Sequence, residues 1–108
     1  MNKTITLFAL SLAVAASAPA LAGGNAEAGK AKSTTCAACH GPDGNSLAPS
    51  FPKLAGQHED YIHQALKDYK SGKRKNPIMS GQAAALSDQD MLDLAAFFSG
   101  QKGLTQKY

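Results

Sequence analysis

Tryptophan is absent from this 108-residue chain, and only three Tyr and four Phe stand in its place. Large apolar anchors are therefore scarce. Beyond position 22 there are 32 residues of the apolar class, of which 13 are Ala and two are Cys, leaving 17 sizeable apolar side chains for a core. A chain this short buries a smaller fraction of its surface than a larger domain, while the entropy cost of ordering each residue is undiminished. Something besides protein must help hold it together. A charge excess of one sign is missing too. Beyond position 22, 10 Lys and Arg face 8 Asp and Glu, and a net +2 does not mark a nucleic-acid binder.

Also missing are a long apolar run, an alternating apolar and polar run that would argue for a strand, and an internal repeat. No carboxylate pair, Ser-His-Asp arrangement or phosphate-binding glycine loop supports hydrolytic or transferase chemistry, so an enzyme of those classes is not expected. The most apolar stretch, positions 5–18, has 14 uncharged residues behind Lys3 and ends at Pro19. That is short for a membrane span. Ala20-Leu21-Ala22 then supplies the small-x-small pattern of signal-peptidase cleavage. Residues 1–22 are expected to be a cleaved signal peptide and 23–108 one exported domain without a membrane span, which in a bacterium means the periplasm.

What is present reads as helix. Asn25 can cap a first helix running from Ala26 through Gly29 towards Cys36, and Glu27 suits its dipole. Positions 41–57 carry Gly41, Gly44, Gly56, Pro42, Pro49 and Pro52, a composition that resists regular structure. Tyr61, Ile62, Ala65, Leu66 and Tyr69 recur at helical spacing, and Ser71-Gly72 ends that helix. Positions 73–86 read as a second irregular stretch. Ser87-Asp88-Gln89-Asp90 then offers a cap for a last helix whose inward stripe is Met91, Leu94, Ala95 and Phe98. The expected class is all-α: three main helices and two long loops. Gly29 costs about 1 kcal/mol of helix propensity relative to Ala, which suggests a close crossing with the last helix near Ala95 and Phe98.

The chemistry lies in Cys36-Ala37-Ala38-Cys39-His40. This spacing reads as c-type haem attachment: each thiol adds across a haem vinyl group, and the histidine binds iron from one face. Two other readings use the same residues. A redox-active Cys pair belongs near a strand-helix-strand pattern, which is absent. A zinc site needs about four ligands, and only His58 or His63 could complete it. The haem reading also accounts for the thin core, because a porphyrin is a large apolar plate.

With that motif and its following Gly41, the stretches Phe51-Pro52-Lys53-Leu54-Ala55-Gly56-Gln57, Leu86-Ser87-Asp88-Gln89-Asp90 and Ala95-Ala96-Phe97-Phe98 resemble the class I cytochromes c. The nearest in kind are short bacterial carriers and single lobes of two-haem periplasmic cytochromes. The resemblance implies an all-helical fold around one covalent haem c held by Cys36 and Cys39, iron ligated by His and Met, and one-electron transfer between redox protein donors and acceptors. It also implies that the Pro52 carbonyl accepts a hydrogen bond from His40 and that Leu54 packs on the haem face.

For the sixth ligand, Met91 falls on the apolar stripe of the last helix and reads as core. Met79 follows Asn76-Pro77-Ile78 in the aperiodic stretch, where a loop can bring a thioether to the open side of iron, and the resemblance places the distal methionine there as well. His58, nearer the apolar side of its helix than His63, keeps ligation by two histidines open. A haem c subunit of a larger oxidoreductase, or a haem enzyme or gas sensor with a labile sixth ligand, uses the same residues. Lys67, Lys70, Lys73, Arg74 and Lys75 gather positive charge opposite Asp88, Asp90 and Asp93. Lys73, Arg74 and Lys75 run into the Met79 segment and are expected to meet a redox partner.

Overall fold

The computed structural model describes residues 23–104, so the expected signal peptide lies outside the described residues. Within them the chain forms α1 (Ala26–Lys32), α2 (Thr34–His40), α3 (Glu59–Ser71), α4 (Pro77–Ala84) and α5 (Asp88–Ser99), with no strand. The all-α expectation holds. Two of its details do not.

The first difference lies in the helix expected to run unbroken towards Cys36. Asn25 caps α1 as anticipated, its side chain accepting from the Ala28 amide at 2.9 Å. The helix then stops at Ser33. The Ser33 hydroxyl donates to the Lys30 carbonyl at 2.7 Å and its amide donates to the same oxygen at 3.2 Å, a tightened i−3 pattern that ends the α1 ladder. A new helix begins at once, with the Ala37 amide bonded to the Ser33 carbonyl at 2.9 Å. Gly41, at φ +83°, turns the chain away directly after His40.

The second difference is α4. Pro-Ile-Met-Ser-Gly-Gln-Ala-Ala has no amphipathic stripe, so periodicity offers nothing, and only Ala83 is buried. Capping makes the helix. Asn76 accepts from the amides of both Ile78 and Met79 at 3.0 Å, and Pro77 takes the first helical position, where its missing N–H costs nothing. Met79 therefore stands on the first turn of a helix and not on a loop.

α5 is the central element. It carries a full capping box, Ser87 Oγ accepting from the Asp90 amide at 3.0 Å and the Asp90 carboxylate from the Ser87 amide at 2.9 Å. Met91, Leu94, Ala95, Phe97 and Phe98 are buried along it. They form the core with Ile62 and Leu66 of α3, and Cys36, Leu54, Met79 and Leu86 pack against its edge. Leu94 and Phe98 are the largest fully buried side chains, each contributing roughly 1.5–3 kcal/mol of burial. α1 crosses α5 at Gly29, where an added Cβ would meet the Asp93 carbonyl oxygen at 1.9 Å and Phe97 Cβ at 2.8 Å. The expected close crossing is present, at Asp93 and Phe97 rather than at Ala95 and Phe98.

The segment between α2 and α3 stays irregular and is fastened at several points. Leu54 and Ala55 donate to the Gly44 carbonyl at 2.8 and 3.1 Å, and Gly56 donates to Phe98 at 3.0 Å. These bonds hold Pro52 and Leu54 in register against α5 and against the end of α2.

Candidate haem-binding site

Cys36 and Cys39 stand three residues apart on α2, hence on one face of one helical turn, and both are half-buried free thiols. Burial pushes the Cys36 thiol above its ordinary value, with a hydrogen bond from Thr35 opposing it. His40 ends the same helix and is only 6% exposed. Its Nδ1 lies 2.7 Å from the Pro52 carbonyl oxygen. A carbonyl can only accept, so Nδ1 carries a proton, and in the neutral ring the lone pair is then on Nε2. With Nδ1 engaged by Pro52, Nε2 is the ring nitrogen left to serve as a ligand. Phe51 meets the imidazole edge-on at 6.4 Å and fixes its plane.

Met79 is half-buried, packs against the core cluster and lies close to His40. Leu54 packs on the same cluster. The other sulfur and imidazole candidates go elsewhere. Met91, 2% exposed, is core. His63 Nε2 is 2.7 Å from Asp88 Oδ1, tying α3 to α5, and His58 is exposed at the head of α3.

These residues fit a c-type haem. Two thiols on one helix face could take the two thioether bonds, an imidazole held through Nδ1 could offer iron its other nitrogen, and a thioether stands nearby as a further donor. The bond from Nδ1 to a carbonyl raises the donor strength of Nε2, and the half-buried apolar side chains around Met79 supply the low-dielectric wall.

Two residues of the basic run, Arg74 from the expected docking set and Lys70 before it, also make contacts within the fold. Arg74, although exposed, turns back on α3: Nη1 donates to the Tyr61 hydroxyl at 3.2 Å and the guanidinium lies 4.9 Å from the centre of the Tyr69 ring. The bond to Tyr61 is the chief reason its pKa is raised. Lys70 donates from Nζ to the Leu86 carbonyl, just past α4. The acidic counterpart is reduced as well, because Lys32 lies 2.8 Å from Asp90 and 2.5 Å from Asp93. A count of charges along the sequence does not reveal such pairings. The recurrence of Tyr61 and Tyr69 on one stripe beside a following arginine was the available signal for Arg74.

Comparison with known proteins agrees with this geometry. Residues 26–102 match the protein family Cytochrome c. The chain is 50% identical over 102 residues to cytochrome c4 of Pseudomonas aeruginosa, a match covering 94% of this chain and 50% of that protein. Cytochrome c-554(548) of Halomonas halodenitrificans is 45% identical over 82 residues, covering 73% of this chain and 99% of its own length. The crystal structure of reduced recombinant cytochrome c4 from Pseudomonas stutzeri superposes with a TM-score of 0.71 at 52% identity, over 75% of this chain and 47% of that one. The chain thus spans about half the length of the cytochromes c4 it matches. It belongs to the cytochrome c family, and with that membership comes a covalently bound haem c and its iron.

Proposed function

We propose that this chain is a periplasmic one-electron carrier rather than an enzyme, with haem joined to Cys36 and Cys39 and its iron ligated by His40 and Met79. The observation that carries the reading is the His40 imidazole, buried and bonded through Nδ1 to the Pro52 carbonyl, with the Met79 thioether nearby. The bound haem supplies reversible one-electron chemistry at iron. The protein's part is to hold that chemistry still. Pro52 fixes the tautomer and orientation of His40, Asn76 fixes the turn that bears Met79, and Leu54 with the α3–α5 core excludes water. With His40 and Met79 both holding the iron, no position would be left for a substrate, and a thioether ligand in a dry pocket would favour a raised potential.

Export is supported by positions 1–22, and no helix among the described residues is long and apolar enough to cross a membrane. A second reading, one haem unit working beside another within a larger protein or complex, is favoured by the half-length match to cytochrome c4. The full-length match of the short Halomonas relative supports the single carrier. Lys73 and Lys75, both exposed, are proposed to meet a redox partner. The deciding experiment is a mass measurement of the exported protein with visible spectra in both redox states. Expected are one haem increment resistant to acid-acetone extraction and a sulfur-to-iron absorption band that Met79→Ala abolishes. A band lost in Met91→Ala and kept in Met79→Ala overturns the ligand assignment.

A further inference from the structure

The helix that bears Met79 has almost no core of its own. Ala83 alone is buried along α4, Ile78 is 62% exposed, and Met79 is half-buried. An eight-residue helix without an apolar stripe gains little from burial and opens readily unless something else holds it. α3 supplies that hold at both ends. On the side where the chain enters α4, Arg74 reaches back to α3. Its guanidinium bonds the Tyr61 hydroxyl, covers the Tyr69 ring, and its backbone amide donates to the Asp68 carbonyl at 3.1 Å. Just past α4, Lys70 of α3 caps the Leu86 carbonyl, while the Leu86 amide bonds Ala83 at 3.0 Å. Between the two, Asn76 holds the Ile78 and Met79 amides.

We propose that Arg74 and Lys70 clamp α4 onto α3 at its two ends and thereby keep Met79 in place near His40. The inference rests on Met79 being the sixth ligand, and it makes Arg74 and Lys70 positioning residues. Part of the positive charge between α3 and α4 thus serves ligand retention rather than docking. The two contacts of Arg74 differ in kind: the Tyr61 bond needs a donor aimed at one oxygen, whereas the Tyr69 contact needs only a cation over a ring. Arg74→Lys should therefore keep one and lose the other.

The test uses the haem-loaded protein and two readouts. The first is amide hydrogen exchange at Ser80, whose N–H bonds the Asn76 carbonyl at 2.8 Å, and at Leu86. The second is the rate at which added imidazole displaces the thioether from ferric iron, seen as loss of the sulfur-to-iron band. Arg74→Met should speed both by about tenfold, the combined loss of one hydrogen bond and one cation–π contact. Lys70→Met should speed Leu86 exchange more than Ser80 exchange, and Arg74→Lys should fall between wild type and Arg74→Met. Lys67→Met removes an exposed charge from the same helix and should leave both rates within about twofold. Equal effects of Arg74→Met and Lys67→Met overturn the proposal, because they mark a general charge effect. So does faster Ser80 exchange with unchanged imidazole displacement. Should Arg74→Met fail to accumulate, Tyr61→Phe removes only the hydroxyl, and unchanged rates in that variant overturn the proposal equally. Whether Met79 is the ligand is read separately from Met79→Ala, so failure of the clamp and failure of the ligand assignment give different results.

Discussion

Gly29 and Asp93 sit so close at the crossing of α1 and α5 that a Cβ on Gly29 would lie 1.9 Å from the Asp93 carbonyl oxygen. The same aspartate closes the crossing with its side chain. Only 3% exposed, it accepts from the Asn25 amide at 2.8 Å, from Gln89 at 2.8 Å and from Lys32 at 2.5 Å. One residue of α5 thus receives α1 through its backbone on one side and its carboxylate on the other. The consequence reaches the site, because α2, with Cys36, Cys39 and His40, continues from α1 after the single residue Ser33.

Gly29→Ala is accordingly predicted to destabilise the protein. A methyl group at 1.9 Å from backbone oxygen cannot be absorbed by a rotamer change, so the helices must part, at a cost of roughly 1–3 kcal/mol or more. Chemical denaturation of the haem-loaded protein measures it. Unchanged stability would show that α1 does not seat on α5 as described.

The second prediction concerns acid. Asp93 is held down to about 2 by the Asn25 N–H first, then by Lys32 and Gln89, and Asp90 to about 2 by Lys32 first, then by Ser87. Both carboxyls lie below their unfolded value of 3.8, so folding favours the ionised forms. That contribution is fully present above about pH 4 and disappears as pH falls through about 2. Asp93→Asn should therefore be less stable than wild type at neutral pH, and the gap should narrow steadily between about pH 4 and pH 2. A gap independent of pH would assign the loss to packing rather than to charge.

The grouping of Cys36, Cys39 and His40 was legible because it is local: the three need only one helical turn to come together. α3 and α5 were legible from apolar periodicity, and the Ser87 box from its spacing. α4 was not, because a short helix made by Asn76 and Pro77 leaves no apolar period to read. The break at Ser33 was hidden for a related reason, since it depends on a hydroxyl bonding the preceding turn and not on a helix-breaking residue. The roles of Arg74 and Lys70 were illegible in another sense. A long basic side chain reads as surface charge, and only the fold shows that Tyr61 and the Leu86 carbonyl lie within its reach.

The last prediction concerns docking by Lys73 and Lys75. Over positions 23–108 the charge is +2, which two ionised haem propionates would roughly cancel, so steering must come from how charge is distributed. The fold narrows that distribution. Asp90 and Asp93 are engaged by Lys32, Asp88 by His63, Arg74 by Tyr61 and Lys70 by Leu86. Lys73 and Lys75 remain exposed on the approach to α4, where Ile78 is exposed as well. Replacing both with Gln should slow electron transfer with an acidic redox protein about three- to tenfold at low ionic strength, where screening is weak. The difference should fade as salt rises and the Debye length shrinks towards about 10 Å near 0.1 M. The reduction potential and the sulfur-to-iron band should stay as in wild type, since neither lysine belongs to the clamp on α4. Stopped-flow rates across a salt series measure the effect. Rates that match wild type at every ionic strength would leave Lys73 and Lys75 as ordinary solvated surface and move the partner's contact to another face.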